Sequence, residues 1–139
     1  MRTRMVHRIV TSLAIAATVA VGFAVPAAAA PGVCSNGWAC RFPYNDYDLG
    51  NLYQQNNQYS DADFAIADNW ADSVISQGNS CRTSWYKDAN YGGASFYLHR
   101  VVDGYNYQDP NLSNGAGQGP YSGSNFSNNL TSLKFVDCV

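Results

Sequence analysis

The chain has 139 residues, with 8 lysines and arginines against 10 acidic residues, all of them aspartate. Three of the arginines lie in the first eight residues, so five basic and ten acidic side chains remain beyond that segment, a net charge of about −5. This charge argues against a nucleic-acid groove, which needs a basic stripe. A chain without glutamate but rich in aspartate, asparagine and glycine also argues against extensive helix.

Residues 1–29 show the three parts of a secretory signal. A basic start is followed by an apolar run over residues 9–25 and then by a string of alanines. Cleavage after Ala29 leaves residues 30–139 as a single mature domain of ordinary size. A membrane anchor is the alternative, but the run is short for a span and ends in small residues. We therefore expect a secreted, extracellular protein with no membrane attachment after cleavage.

Four cysteines lie beyond the signal, and in an oxidising compartment an even number predicts two disulfides. Of the three possible pairings we favour Cys34–Cys40 and Cys81–Cys138. The first would close a small loop, and the second would tie a strand to the chain end. A zinc site is the other use of four cysteines, but the spacing lacks paired C-x2-C units.

One pattern occurs twice: an aromatic residue, four spacers, a tyrosine and then glycine. It reads FPYNDYDLG at residues 42–50 and YKDANYGG at residues 86–93. Each copy is followed by a polar stretch that ends in serine and an aliphatic residue. The pattern predicts two repeats of one folded-over β-hairpin unit, residues 34–77 and 80–138, with the glycines in turns at positive φ. The extra Leu49 predicts a bulge in the first repeat.

Six segments are predicted strands, and several of them alternate apolar and polar residues. They are residues 38–42, 63–66, 73–75, 83–87, 95–99 and 132–136. The second repeat carries 15 more residues than the first between its aromatic residue and its serine, which we place in an insertion at 103–124. A loop this long in a small domain is either functional or disordered.

The doubled hairpin with its polar stretches resembles the βγ-crystallin double Greek key. Within that superfamily the chain is similar to the Streptomyces metalloproteinase inhibitor family. The similarity covers residues 33–138, and the features that carry it are the preceding signal, Cys34-x5-Cys40 with Gly37, the segment WADSV at 70–74, and Cys81 leading into the second hairpin. It implies an all-β, βγ-crystallin-like double Greek-key sandwich. It also implies a monomeric inhibitor whose partner is an extracellular metalloendopeptidase.

The resemblance further implies calcium. In calcium-binding crystallin domains a stretch [N/D]-[N/D]-x-x-[S/T]-S supplies oxygens to the ion. Residues 68–73 match except for aspartate at the fifth place, and residues 127–132 match except for Ser127 at the first. Aspartate is still a hard oxygen donor. The implied Ca²⁺ ligands are Asp68, Asn69, Asp72, Asn128 and Thr131. The alternative is that both stretches are polar turns whose serines bond the backbone.

The resemblance places the inhibitory surface on a rigid, disulfide-braced loop. The insertion at 103–124 has no cysteine, so either Tyr105, Tyr107 and Tyr121 hold it by packing and make the contact, or the inhibitory role is lost. Its glycine-rich segment, residues 115–119, looks too flexible for such a loop. The alternative function is a calcium-stabilised crystallin-like module with a structural, carbohydrate-binding or toxin-like antifungal role.

Catalysis is not expected. Beyond the signal there is a single histidine, His99, and no G-x-S-x-G nucleophile elbow. The pair Asp61 and Asp63 resembles the carboxylates of a glycosidase, but it lies in a polar turn.

Overall fold

A computed structural model describes residues 34–48, 55–57, 60–65 and 68–139. The predicted signal at 1–29 lies outside the described residues, as do Leu49 and Gly50, where the bulge was expected. The described residues form seven β-strands and four short 3₁₀ turns. No helix among them is long and apolar enough to cross a membrane.

The strands build two antiparallel sheets. Their bounds are β1 Ala39–Phe42, β2 Gln55–Asn57, β3 Ser73–Ser76, β4 Arg82–Asp88, β5 Gly92–Leu98, β6 Gln108–Asp109 and β7 Ser132–Val136. Sheet A has the order β2-β1-β3-β6, and sheet B has the order β5-β4-β7. The 3₁₀ turns span Asn45–Tyr47, Ala89–Tyr91, Val101–Asp103 and Leu112–Asn114.

The two repeats exchange one segment each. Strand β6 belongs to the second repeat but pairs with β3 of the first, with Val74 opposite Asp109. In return, Asp61 of the first repeat forms an antiparallel bridge to Leu133 of β7. Each sheet therefore contains backbone from both repeats, which is the interlocked arrangement of two Greek keys.

The predicted strand at 63–66 is wrong over the part that the structure describes. Asp61 makes a single bridge, Asp63 lies in a bend, and the Phe64 N–H donates to the Thr131 carbonyl at 2.8 Å. The segment crosses to the other repeat, so it cannot pair along its length with its own hairpin. The other five predicted strands are present, with ends shifted by at most three residues.

The prediction of positive-φ glycines in the two hairpin turns is confirmed at Gly93, but the other left-handed residues that the structure describes in these turns are not glycine. The left-handed residues are pairs that precede the glycines: Asp46 and Tyr47 with φ of 58° and 61°, and Asn90 and Tyr91 with φ of 55° and 62°. Of the glycines in the second turn, Gly93 has a φ of 71° and Gly92 is extended. Tyrosine in this conformation is strained, so the surrounding bonds must compensate.

Those bonds come from one buried serine in each repeat. The Ser73 hydroxyl accepts from the Tyr47 N–H at 3.1 Å and donates to the Tyr44 carbonyl at 2.6 Å. In the second repeat the Ser132 hydroxyl accepts from the Tyr91 N–H at 3.1 Å and donates to the Asp88 carbonyl at 2.6 Å. The serine that ends each polar stretch therefore fixes the turn of its own hairpin.

The main core lies between the sheets. Its buried residues include Phe64, Val74, Trp85, Phe96, Leu98, Leu112, Phe126, Leu130 and Leu133. A second, smaller cluster covers the outer face of sheet A and contains Cys34, Cys40, Phe42, Tyr47 and Ile75, with Trp38 and Tyr107 packed against it.

The cysteines pair as favoured from the sequence. Disulfides join Cys34 to Cys40 and Cys81 to Cys138, and no described cysteine is free. The first disulfide lies within the small cluster on sheet A. The second joins the residue before β4 to the segment after β7. Two disulfides are compatible with an extracellular protein.

Candidate functional site

The predicted calcium ligands come together in two clusters, and each cluster draws on both repeats. This follows from the fold, because the Asn69 N–H donates to the Leu130 carbonyl at 3.0 Å and the Asn128 N–H donates to the Ala71 carbonyl at 2.8 Å. The two polar stretches thus run against each other. Asn69 and Asn128 share a φ of 51°, a left-handed conformation that asparagine tolerates.

The first cluster consists of Asp68, Asn69 and Thr131. The Thr131 hydroxyl lies 3.5 Å from Asn69 Oδ1, and Asn69 Nδ2 donates to Asp68 Oδ2 at 3.1 Å. Asp68 and Asn69 are exposed, whereas Thr131 is buried. Two neutral side-chain oxygens and one carboxylate therefore lie close together, with the threonine buried and the other two side chains exposed.

The second cluster consists of Asp72, Ser127 and Asn128. Asp72 Oδ1 accepts from the Ser127 hydroxyl, and it accepts from Asn128 Nδ2 at 2.9 Å. Asn125 Oδ1 in turn accepts from the Ser127 N–H at 2.8 Å. The Asp72 carboxylate is thus held by two donors from the other repeat.

The sequence pattern predicts one calcium site in residues 68–73 and another in residues 127–132, but the structure groups the ligands across the two stretches. Thr131 lies with Asn69 of the first stretch, and Asp72 lies with Asn128 of the second. Ser127, which was treated as a departure from the pattern, contacts Asp72 directly. The interlocked Greek keys are the reason, since they place the fifth residue of one stretch beside the second residue of the other.

Both clusters present mostly oxygen, the ligand atom that Ca²⁺ prefers, and each holds one carboxylate. In the described part of the chain, no three His, Cys, Asp or Glu side chains come together as metal ligands. Sites with so few charges bind Ca²⁺ weakly, with Kd values of about 10⁻⁴ to 10⁻³ M in extracellular modules. The side chains thus suit a weak calcium site better than a tight one.

The insertion predicted at 103–124 is not one loop. It contains β6, and Leu112 is buried in the main core where its N–H donates to the Asp72 carbonyl at 2.9 Å. Phe64 makes the corresponding bond to Thr131 in the first repeat. Sixteen positions separate Leu112 from Asn128, and five separate Phe64 from Asn69. Eleven of the 15 extra residues therefore lie after Leu112, and we call residues 113–125 the second-repeat loop.

The glycine-rich part of this loop is held by the backbone, contrary to the expectation that it is too flexible. Tyr97 and Gln118 exchange two backbone hydrogen bonds of 2.9 Å, and the Ala116 N–H donates to the Ser122 carbonyl at 2.6 Å. Asp109 Oδ2 accepts from the Gly117 N–H at 2.9 Å, and burial raises the pKa of this carboxyl. A Cβ on Gly117 would lie 2.5 Å from the Tyr97 carbonyl oxygen, so glycine is required there.

The three tyrosines predicted to form an inhibitory surface occupy different settings. Tyr107 packs against the small cluster, and its carbonyl accepts from the Ser76 N–H at 2.7 Å. Tyr105 lies against His99, with ring centroids 4.5 Å apart. Tyr121 is exposed on the second-repeat loop. Tyr107 is therefore a packing residue, and only Tyr105 and Tyr121 offer exposed rings.

Comparison with known proteins identifies the fold. No family model matches the chain, and no curated protein matches it. A beta gamma crystallin from Ciona intestinalis superposes with a TM-score of 0.52 at 17% identity, covering 71% of this chain and 99% of that one. A structure from work on the evolution of the eye lens beta-gamma-crystallin domain fold superposes with a TM-score of 0.57 at 12% identity, covering 79% of this chain and 95% of that one.

These superpositions, together with the interlocked antiparallel sheets, show that the chain has the βγ-crystallin fold. At such low identity the likeness concerns the fold alone. The fold class predicted from the sequence is confirmed. The similarity to the Streptomyces metalloproteinase inhibitor family and the absence of catalysis stay predictions.

Proposed function

We propose that the protein is a secreted, disulfide-braced crystallin-like module that binds two calcium ions weakly and is stabilised by them. The observation that supports this is the pair of oxygen-rich clusters, each bridging the two repeats. One ion would be held by Asp68, Asn69 and Thr131, and the other by Asp72, Ser127 and Asn128. An ion that joins both repeats stabilises the folded state only, because unfolding separates its ligands.

The test is thermal unfolding of the protein in 5 mM CaCl₂ and in EDTA. A site with a Kd of about 0.5 mM would add about 1.4 kcal/mol at this concentration. For a domain of this size, that corresponds to a rise in Tm of roughly 5–10 °C per site. Thr131→Val should remove the contribution of the first cluster, and Asp72→Asn should weaken that of the second. Asp63→Asn is the matched control, since Asp63 is an exposed aspartate outside both clusters.

Two results would refute the calcium proposal. One is a Tm that does not change between EDTA and 5 mM CaCl₂. The other is an equal rise with 5 mM MgCl₂, or a full calcium-dependent rise in Thr131→Val and Asp72→Asn as well as in the Asp63→Asn control, which would indicate general screening of the acidic surface.

Peptidase inhibition is the second candidate, and one observation favours it: the backbone of the second-repeat loop is fixed before any partner binds. Affinity is lost when a loop must be ordered on binding, so a fixed loop suits an inhibitor. Its exposed ring is Tyr121, which is 48% exposed.

The test of inhibition is titration of a thermolysin-like metalloendopeptidase with the wild type, Tyr121→Ala and Tyr44→Ala. Tyr44 is the control, since it is a tyrosine of 49% exposure in the first repeat. Inhibition lost only with Tyr121→Ala would support this role, and no inhibition by the wild type would end it.

A further inference from the structure

A charged cleft lies at the end of sheet B, away from both calcium clusters. It has a volume of about 270 Å³ and is lined by Arg82, His99, Arg100, Asp103, Tyr105, Asp137 and Val139. Arg82 begins β4, His99 and Arg100 follow β5, and Asp137 follows β7. Ligand pockets for drug-sized molecules are of roughly 300 Å³ or more, so this cleft suits one small unit of a ligand.

The arginines and aspartates in the cleft cancel in pairs, and His99 Nδ1 lies 3.8 Å from Asp103 Oδ2. Arg82 is paired with Asp137, and Arg100 bonds Asp103 through Nη2 at 2.6 Å and through Nε at 3.1 Å. The Arg100 guanidinium also lowers the pKa of Asp103, so this carboxylate stays charged. A cleft with balanced charge does not select a charged ligand. It presents strong donors beside strong acceptors, which suits a neutral molecule whose hydroxyl groups both donate and accept.

A row of three aromatic rings extends from Tyr97, which does not line the cleft, to His99 and Tyr105, which do. The Tyr105 ring lies 4.5 Å from the His99 ring, which lies 5.7 Å from the Tyr97 ring. The Arg82 guanidinium lies 4.7 Å over the Tyr97 ring, at the inner end of this row. Tyr105 is the outermost member and is 56% exposed, so part of its ring is open to solvent. An exposed ring of this kind offers a large apolar contact area at low cost in conformational entropy.

The loop that carries Tyr105 is short and tied at both ends. The His99 N–H donates to the Asn106 carbonyl at 2.9 Å, and the Arg100 N–H donates to Asp103 Oδ2 at 3.1 Å. Gly104 has a φ of 77° and ends the 3₁₀ turn. The ring is therefore positioned before any ligand arrives, which reduces the entropy lost on binding.

We propose that this cleft binds a neutral saccharide. One sugar ring packs its C–H face on Tyr105, and its hydroxyl groups donate to Asp103 and Asp137 and accept from Arg100 and Arg82. The ligand class follows from the combination of an exposed aromatic ring with balanced charged pairs, since a sugar has both an apolar face and many hydroxyls. The site shares no residue with the calcium clusters, so it is independent of the proposed calcium binding.

The experiment is isothermal titration of the protein, in EDTA, with six neutral hexasaccharides: those of cellulose, chitin, laminarin, starch, xylan and mannan. We expect at least one to bind. Tyr105→Ala should weaken that binding at least tenfold, whereas Tyr105→Phe, which keeps the ring, should stay within about threefold of the wild type. Asp137→Asn should weaken it by several-fold. Tyr121→Ala is the matched control and should bind as the wild type does.

Three outcomes would overturn the proposal. The first is no binding of any of the six hexasaccharides at 5 mM. The second is equal affinity for the wild type and a folded Tyr105→Ala, with the fold checked by its Tm. The third is binding only of dextran sulfate, included as an anionic probe, with an affinity that falls as salt rises, because that would identify an anion site. Calcium-dependent melting has a separate readout, so failure here leaves that proposal unaffected.

Discussion

Arg41 in the first repeat contrasts with Trp85 in the second repeat. Each lies on a strand, faces the main core and directly precedes the aromatic residue that opens its hairpin pattern. The register makes them equivalent, since Arg41 pairs with Val74 and Trp85 pairs with Leu133. Both side chains are buried completely or nearly so, with exposures of 1% and 0%. A guanidinium and an indole thus occupy the same place in the two halves of one fold.

Geometry explains how two such different groups fit. The Arg41 guanidinium lies 3.5 Å over the Phe64 ring, and the Trp85 ring is stacked on Phe96 with an interplanar angle of 13°. At each position a flat group covers an aromatic ring. The difference is electrostatic, because burial lowers the pKa of Arg41 to about 10, whereas Trp85 carries no charge. The two positions thus share burial and contact with an aromatic ring, but they differ in charge.

The outer faces of the sheets differ as well. On sheet A the face is closed by the small cluster around Cys40, Phe42 and Ile75. On sheet B the residues at the equivalent places are Ser84, Tyr86 and Lys134, and all three are at least partly exposed. The outer face of sheet A is thus buried under the small cluster, whereas the outer face of sheet B is at least partly exposed at these three positions.

The largest expected effect separates the two core positions. Trp85→Ala should cost about 3–5 kcal/mol, because it removes a large buried side chain and leaves a cavity. Arg41→Met should stay within about 1.5 kcal/mol of the wild type, since it relieves the burial of a charge and roughly keeps the volume. Urea unfolding at pH 7 measures both. An Arg41→Met variant as unstable as Trp85→Ala would show that the guanidinium group itself, through its charge or its planar shape, is required.

The pH dependence of Arg41→Met sharpens this test. The folded-state pKa of Arg41 is about 10, below its ordinary value of 12.5, so the unfolded state binds more protons between these values. The stability that the wild type gains from this group therefore rises as pH increases through 10. We expect Arg41→Met to compare best with the wild type below pH 9 and to lose that advantage gradually as pH rises from 10 towards 12.5. An advantage that grows with pH would contradict the burial of a charged guanidinium.

The two disulfides should differ by about a factor of two. On the loop-entropy estimate, the bond that spans 57 residues contributes about 4 kcal/mol and the bond that spans 6 contributes about 2 kcal/mol. Each is measured alone by adding a reductant to a variant that lacks the other pair, Cys34→Ala/Cys40→Ala or Cys81→Ala/Cys138→Ala. Reduction keeps the sulfur volume, so packing stays nearly constant. A larger loss from the Cys34–Cys40 bond would show that strain or unfolded-state structure overrides chain entropy.

The features that the sequence predicts are those carried by local patterns. The doubled hairpin, the serines at 73 and 132 and the Cys34–Cys40 bond each lie within a short stretch of chain, whereas the Cys81–Cys138 bond spans 57 residues and follows only as the remaining pair of four cysteines. The burial of Arg41 could not be predicted from the sequence, because a charged residue in a strand is usually exposed. The contact between Asp72 and Asn128 could not be predicted from the sequence either, because the two residues lie 56 positions apart. Strand β6 is two residues long and followed by proline, so it has no alternation to detect.

Serine-to-alanine variants test how far the repeats are equivalent. Ser73→Ala and Ser132→Ala each leave one backbone N–H and one carbonyl without their partner, so each should cost about 1–3 kcal/mol. The bond lengths are the same in both repeats, so the two losses should agree within about 1 kcal/mol. Urea unfolding measures them, with Ser35→Ala, an exposed serine, as the control. A loss confined to one repeat would show that its counterpart turn is held by other contacts.

The smallest effect concerns Asn69 and Asn128, where backbone conformation and ligand chemistry can be separated. Both have a φ of 51°, so Asn→Ala should cost about 1 kcal/mol in folding stability. Asn→Gly removes the same amide, but glycine adopts this φ without strain. The glycine variants should therefore stay within about 0.5 kcal/mol of the wild type in EDTA. In 5 mM CaCl₂ the prediction changes, because the glycine variants also lack an amide oxygen. Asn69→Gly should then lose much of the calcium-dependent rise in Tm contributed by the first cluster, and Asn128→Gly much of that contributed by the second. If the glycine variants keep the full rise, the asparagines serve the turn alone, and the polar stretches are turns that hold Ser73 and Ser132 in place.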